Sequence, residues 1–252
     1  MDVYIYIIAI IGSFLAGVIN TLAGSGSAIT LTILTELIGL PPNVANGTNR
    51  IGVLTQSWAG SFAFYKNGKL HLKGSMSYVI PSVIGAIIGV IVAVNISNEQ
   101  FKTFFSYMMI AMLFIILVKP KRWLQETDVK NAPSLWISIP LFFALGFYGG
   151  FIQMGMGVFY LAAMVLIAKY NIIDANAVKS FVVALYSILV VAIFQYKGLI
   201  DWQFGLLMAV GQTAGGWLTA TYASRYEGAD VWAYRLLVVV VVLAILKLFG
   251  LV

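Results

Sequence analysis

The sequence predicts an all-α, polytopic helical membrane protein built from two internal repeats of about five segments each, the second inverted relative to the first. Three observations carry that prediction. The 252 residues are 61% hydrophobic and 10% charged, with a mean hydropathy of +0.96, whereas soluble domains carry roughly 25% charged residues. Apolar runs of helix length recur to the end of the chain. Residues 23–30 (AGSGSAIT) are echoed by 153–160 (QMGMGVFY), 64–72 by 194–202 and 81–93 by 211–223. A chance alignment of apolar residues would not hold one offset that long.

Each element follows from its punctuation. A bilayer core takes about 20 apolar residues, fewer where a segment is broken or sheltered by neighbours. In the first half the segments fall near 3–22, 27–40, 44–65, 74–95 and 100–118, cut by Gly24-Ser25-Gly26, Pro41-Pro42-Asn43, Asn67-Gly68 and residues 95–98. The second half repeats them near 135–152, 156–169, 176–196, 202–222 and 231–250. The charged stretch 119–134 divides the chain as a cytoplasmic linker between a first transmembrane repeat, 1–118, and a second, 135–252. Met1-Asp2-Val3-Tyr4 lacks the basic region of a signal peptide, so the first run is read as a retained helix.

An odd number of spans per half inverts the second repeat, and the cations discriminate. Five spans place Lys66, Lys69, Lys73, Lys119, Lys121, Arg122, Lys130, Lys169, Lys179, Arg225 and Arg235 on or near one side, with Lys102, Lys197 and Lys247 opposite. The positive-inside rule makes the crowded side cytoplasmic and puts both termini outside. The net charge of +6 is thereby explained by orientation, and no nucleic-acid partner is expected. The chain has no cysteine and one histidine, His71, in a lysine-bearing loop. Thiolate chemistry is excluded, a lone histidine holds no metal, and no carboxylate pair falls inside an apolar run. No enzymatic activity, cofactor or metal is expected.

The candidate site lies at the two breaks. The start of a helix leaves backbone N–H groups without intrahelical partners and carries the positive end of the dipole, which suits an anion. Gly24 and Gly26 would let a ligand approach, with Ser25 and Ser27 as hydroxyl donors; Gln153, Gly155 and Gly157 form the second break. The alternative is that small residues merely let helices cross closely. Asn46-Gly47-Thr48-Asn49-Arg50 opens the third segment, with Asn46 and Arg50 on one face. Arg50 would lie about 10 Å beyond Pro42-Asn43, deep for an unpaired charge. Lys179, followed by Ser180, stands near the matching place, and Asn20 precedes the first break. Both cations could instead snorkel to headgroups. Gln56, Tyr160, Tyr186, Ser187 and Gln212 could line a polar path or bridge helices.

Residues 16–26 (AGVINTLAGSG), the run Asn46 to Arg50, residues 146–151 (GFYGGF) and 211–216 (GQTAGG) together resemble the sulfite exporter TauE/SafE family of membrane proteins. The resemblance runs over nearly the whole chain. It implies a multi-pass transporter of the cytoplasmic (inner) membrane that exports a small anion, sulfite or an organosulfonate, by alternating access. Its family pattern falls on Gly24, Gly26, Thr48, Asn49, Arg50, Gly155, Gly157 and Lys179. The chain departs from that pattern in its serines at 25 and 27 and in having Asn20 and Gly149 where close relatives often carry an acid. An anion channel, an importer of another carboxylate or oxyanion, and a scaffold are the alternatives. The expected partners are a small anionic substrate and the lipid bilayer; a homo-oligomer is left open.

Overall fold

The computed structural model describes residues 3–95, 134–229, 231–233, 235, 236 and 239. Among them every regular element is helical: α1 (Val3–Leu22), α2 (Ser27–Thr32) continued by the π-helical turn Ile33–Leu37, α3 (Pro42–Lys66), α4 (Leu72–Ala93), α5 (Leu135–Phe151), α6 (Met156–Ala162) continued by the π-helical turn Ala163–Ile167, α7 (Ile172–Tyr196) and α8 (Trp202–Arg225). The expected segment 100–118, residues 119–133 of the linker and most of segment 231–250 lie outside the described residues.

The repeat is visible element by element. Both short helices end in a π-helical turn closed by a left-handed residue, Gly39 (φ 81°) and Lys169 (φ 66°). Leu40 N–H donates to Leu34 O at 2.9 Å, and Tyr170 N–H to Met164 O at 3.0 Å. This widened ending stops the short helices at Leu37 and Ile167 rather than near 40 and 169. Three other helices, α3, α4 and α7, begin earlier than expected. Pro42 occupies the first turn of α3, where a missing N–H costs nothing. Asn171 caps α7 by accepting from Asp174 N–H at 2.8 Å, which moves its start from 176 to Ile172.

Packing crosses between the halves: α1 and α3 lie on α8, α4 on α5 and α7, and α3 meets α7 at the centre. Glycines allow the closest approaches. Gly211 abuts Ile10 and Phe14 while Gly215 abuts Phe14 and Val18, so α1 and α8 advance together. Gly146 lies on Ser82 and Gly150 on Ala86, giving α4 and α5 the same parallel relation. The equivalent helices α3 and α7 run antiparallel, with Gly47 near Phe194 and Gly60 near Ser180.

The distribution of polarity is inside-out. Ile7, Ile11 and Leu15 of α1 and Ile80, Ile84, Ile88 and Ile91 of α4 are exposed, whereas Asn20, Asn49, Arg50, Gln56, Gln153, Lys179 and Gln212 are buried. Such an exterior is stable against lipid tails. Three described helices are long and apolar enough to cross a membrane by length and composition: Val3–Leu22, Ser75–Ala93 and Ile172–Tyr196. Helix α3 has the length, 25 residues, but its polar run faces the interior.

Candidate substrate site

The two breaks meet at the centre. Gly24 (φ 81°) and Gly157 lie back to back, and a Cβ on either would overlap the backbone of the other. The second break turns through Gln153 (φ 63°) and Gly155 (φ 77°), both left-handed. For glycine this conformation is cheap; for glutamine it is uncommon and must be held by its surroundings.

The deep cations come from α3 and α7, and each reaches the end of the other half's first helix. Arg50 is fully buried. Its Nη1 donates to Gly149 O at 2.9 Å and Gln153 Oε1 at 2.8 Å, and its Nη2 to Gly150 O at 3.0 Å, all at or just past the end of α5. Lys179 Nζ donates to Asn20 O at 2.7 Å and Thr21 O at 3.1 Å, at the end of α1, and to Asn176 Oδ1 at 2.6 Å. The last carbonyls of a helix have no intrahelical donor and carry the negative end of its dipole, so a cation there is favourable. By helix ends, Arg50 is equivalent to Ser180 and Lys179 to Asn49; the two cations are one residue out of register, and their long side chains absorb the difference. Neither cation snorkels to a headgroup. The expected support of Arg50 by Asn46 and Asn49 is replaced by helix-end carbonyls, which need its donors more than two amides do.

A small polar cavity lies beside the crossing. Its polar wall is Asn20, Gln56, Ser57, Gln153, Lys179 and Ser180, and its apolar wall Met156, Gly157 and Val183. None of these is acidic. The free space is about 10 Å³, room for roughly one water. Asn20 Nδ2 donates to Gln56 Oε1 at 3.3 Å, and Gln56 Nε2 donates to Gly17 O at 3.3 Å and Thr21 Oγ1 at 3.2 Å.

Of the residues singled out from the sequence, Asn20, Gln56, Gln153, Gly157, Lys179 and Ser180 line this cavity, with Gly24 and Gly155 in the adjoining backbone. Ser25 and Ser27 are buried with hydroxyls lacking a hydrogen-bond partner. The side of Gly26 where a Cβ would stand is filled by Ala16 O and Asn20, so its small size serves packing against α1. Thr48 Oγ1 accepts from Asp201 N–H at 2.9 Å and ties α3 to the start of α8. Asn49 Oδ1 accepts from Thr30 Oγ1 at 2.6 Å and Gln212 Nε2 at 3.4 Å. Asn46 is buried outside the cavity lining, its Oδ1 without a partner. Sequence reasoning left Ser57, Met156 and Val183 out of the site. Helical spacing would have found two of them: Ser57 is seven residues from Arg50 and Val183 four from Lys179.

The family model described as sulfite exporter TauE/SafE matches residues 9–248. A probable membrane transporter protein, ORF9, of a Sinorhizobium species is 27% identical over 235 residues, covering 93% of this chain and 89% of the relative. A probable membrane transporter protein of Haemophilus influenzae is 30% identical over 226 residues, covering 87% and 86%. The probable membrane transporter protein YunE of Bacillus subtilis is 23% identical over 245 residues, covering 88% and 90%. No solved structure matches the chain. The chain belongs to the sulfite exporter TauE/SafE family and is a membrane transporter protein.

Proposed function

We propose that this member of a transporter family exports a small sulfur-containing oxyanion, sulfite or an organosulfonate, across the cytoplasmic membrane by alternating access of two inverted halves. The observation that carries this reading is the small cavity lined by both halves, which has a buried ammonium and no carboxylate in its wall. A buried cation without an acid partner is costly, and an anionic ligand would offset that cost. The antiparallel course of α3 and α7 supports the inverted relation, and the closeness of the cavity to the meeting of two matched breaks supports a substrate role, since repeat-built transporters typically bind substrate at such breaks. Each negative charge leaving a negative-inside cell gains about 2.3 kcal/mol per 100 mV, so the membrane potential can drive export without a coupling ion.

The test is flux into proteoliposomes challenged with sulfite, sulfate, sulfoacetate, taurine, phosphate and chloride, with and without a pH gradient. Saturable transport selective for sulfur oxyanions is expected, and it should continue without the pH gradient. Equal passage of every ion, or transport of none of them by well-folded protein, would overturn the reading.

A further inference from the structure

Gln153 connects Arg50 to the cavity, which it lines. Its Oε1 accepts from Arg50 Nη1 at 2.8 Å and from the Tyr186 hydroxyl at 2.9 Å. A guanidinium has no acceptor, so the atom facing it is the amide oxygen and the orientation of the amide is settled by chemistry. The nitrogen is then the end of the amide held by neither Arg50 nor Tyr186, and Gln153 lines the cavity. The backbone at Gln153 is left-handed, and the Tyr148 hydroxyl, donating to Met154 O at 2.9 Å, braces the following residue.

We infer that Arg50 acts on the transported anion through Gln153: Arg50 and Tyr186 lock the amide so that its N–H donors meet the oxyanion, and neither of the two touches the anion itself. This rests on the anion-transport reading above. A cation and a hydroxyl on the amide oxygen polarise the group and strengthen its N–H donors, and they prevent the flip that would present an acceptor to an anion. The first-half position that matches Gln153 is Ala23, which carries no side-chain donor. Gln56, which matches Tyr186 by helix ends, already uses its amide on Gly17, Thr21 and Asn20. The site is therefore asymmetric within a symmetric frame, with Lys179 supplying charge and Gln153 supplying oriented neutral donors.

A double-mutant cycle on the full-length protein tests the lock, with sulfite and sulfoacetate uptake into proteoliposomes as probes. Tyr186→Phe should raise KM about tenfold, the loss of one hydrogen bond to a charged ligand's donor, with kcat within about twofold. In a Gln153→Ala background the same change should leave KM unmoved, because the group it orients is gone. Gln153→Glu offers Arg50 a carboxylate and should keep the melting temperature while abolishing uptake, since acceptors then replace donors. Additive effects of Tyr186→Phe and Gln153→Ala, or normal uptake by Gln153→Glu, would overturn the lock while leaving the transport reading standing. Failure of the unaltered protein to take up either probe would overturn both.

Discussion

Gly24→Ala perturbs the point where the two breaks cross, and its cost can be divided. Gly24 has φ 81°, and an alanine held there loses about 1–2 kcal/mol to left-handed sterics. Its Cβ would also overlap the backbone of Gly157 and Val158, and forcing two backbones apart costs about 1–3 kcal/mol. The total is about 2–5 kcal/mol. Gly39 supplies the control: it has the same φ of 81°, yet a Cβ there meets nothing within 4 Å. Gly39→Ala should lose only the conformational part, about 1–2 kcal/mol. Equilibrium unfolding of the purified full-length variants in mixed micelles gives both values. A third variant checks the division, because Gly157 is not left-handed and Gly157→Ala should show only the overlap. The double variant Gly24→Ala/Gly157→Ala should cost less than the sum of the singles, since one separation of the backbones serves both. Equal losses for Gly24→Ala and Gly39→Ala would refute the tight crossing.

Three further outcomes are expected. Lys179→Gln keeps an amide able to donate to the end of α1 but removes the charge, so anion transport should fall at least about 100-fold with the protein still folded, the order set by one buried charge-assisted interaction; near-normal flux would take the charge out of the mechanism. Thr48→Val deletes the acceptor of Asp201 N–H and should cost about 1 kcal/mol of stability with KM unchanged; a raised KM would make Thr48 a ligand of the anion. Gly26→Leu and Gly85→Leu should be similarly harmful in a folding assay, because a side chain at either runs into backbone, Ala16 O in one case and Phe143 O in the other; a far larger effect on KM at Gly26 would show that it faces the substrate.

The repeat was legible because lipid leaves little freedom: apolar runs must become helices, and only glycine, proline and asparagine clusters could cut them. Arg50 and Lys179 stood out for the same reason, as charges too deep in their segments to be incidental. What they touch was not legible. Spacing along α3 joins Arg50 to Asn46, but the guanidinium reaches Gly149 and Gly150, about 100 positions away in sequence, because the unmet carbonyls of α5 end there. Gly26 was ambiguous in another way. A glycine beside a break reads equally well as a ligand contact or a crossing point, and the nearness of Ala16 O supports the second. The early start of α7 was in principle readable from Asn171, whose spacing from Asp174 is that of a capping pair.

The exchange of caps explains why the cations can belong to architecture and chemistry together. A helix that ends inside a membrane leaves carbonyls that lipid cannot satisfy. Here α1 and α5 both end at the central crossing, and each is completed by a cation from the other half: Lys179 on Asn20 and Thr21, Arg50 on Gly149 and Gly150. Neither half can satisfy its own first helix in this way. The same contacts occupy the donors of Lys179, while Arg50 keeps its Nε buried without a partner. The three acceptors around Lys179 Nζ match the three protons of an ammonium, so its charge reaches the cavity as a field and not as a spare hydrogen bond. On the proposed function, an anion there would need neutral groups to grip it, a part open to side chains such as Gln153, Ser57 and Ser180 on the cavity wall. On that reading charge sets the sign of the ligand and the neutral donors its shape, so substitutions among the latter should change which oxyanion is carried before they change whether an anion is carried at all.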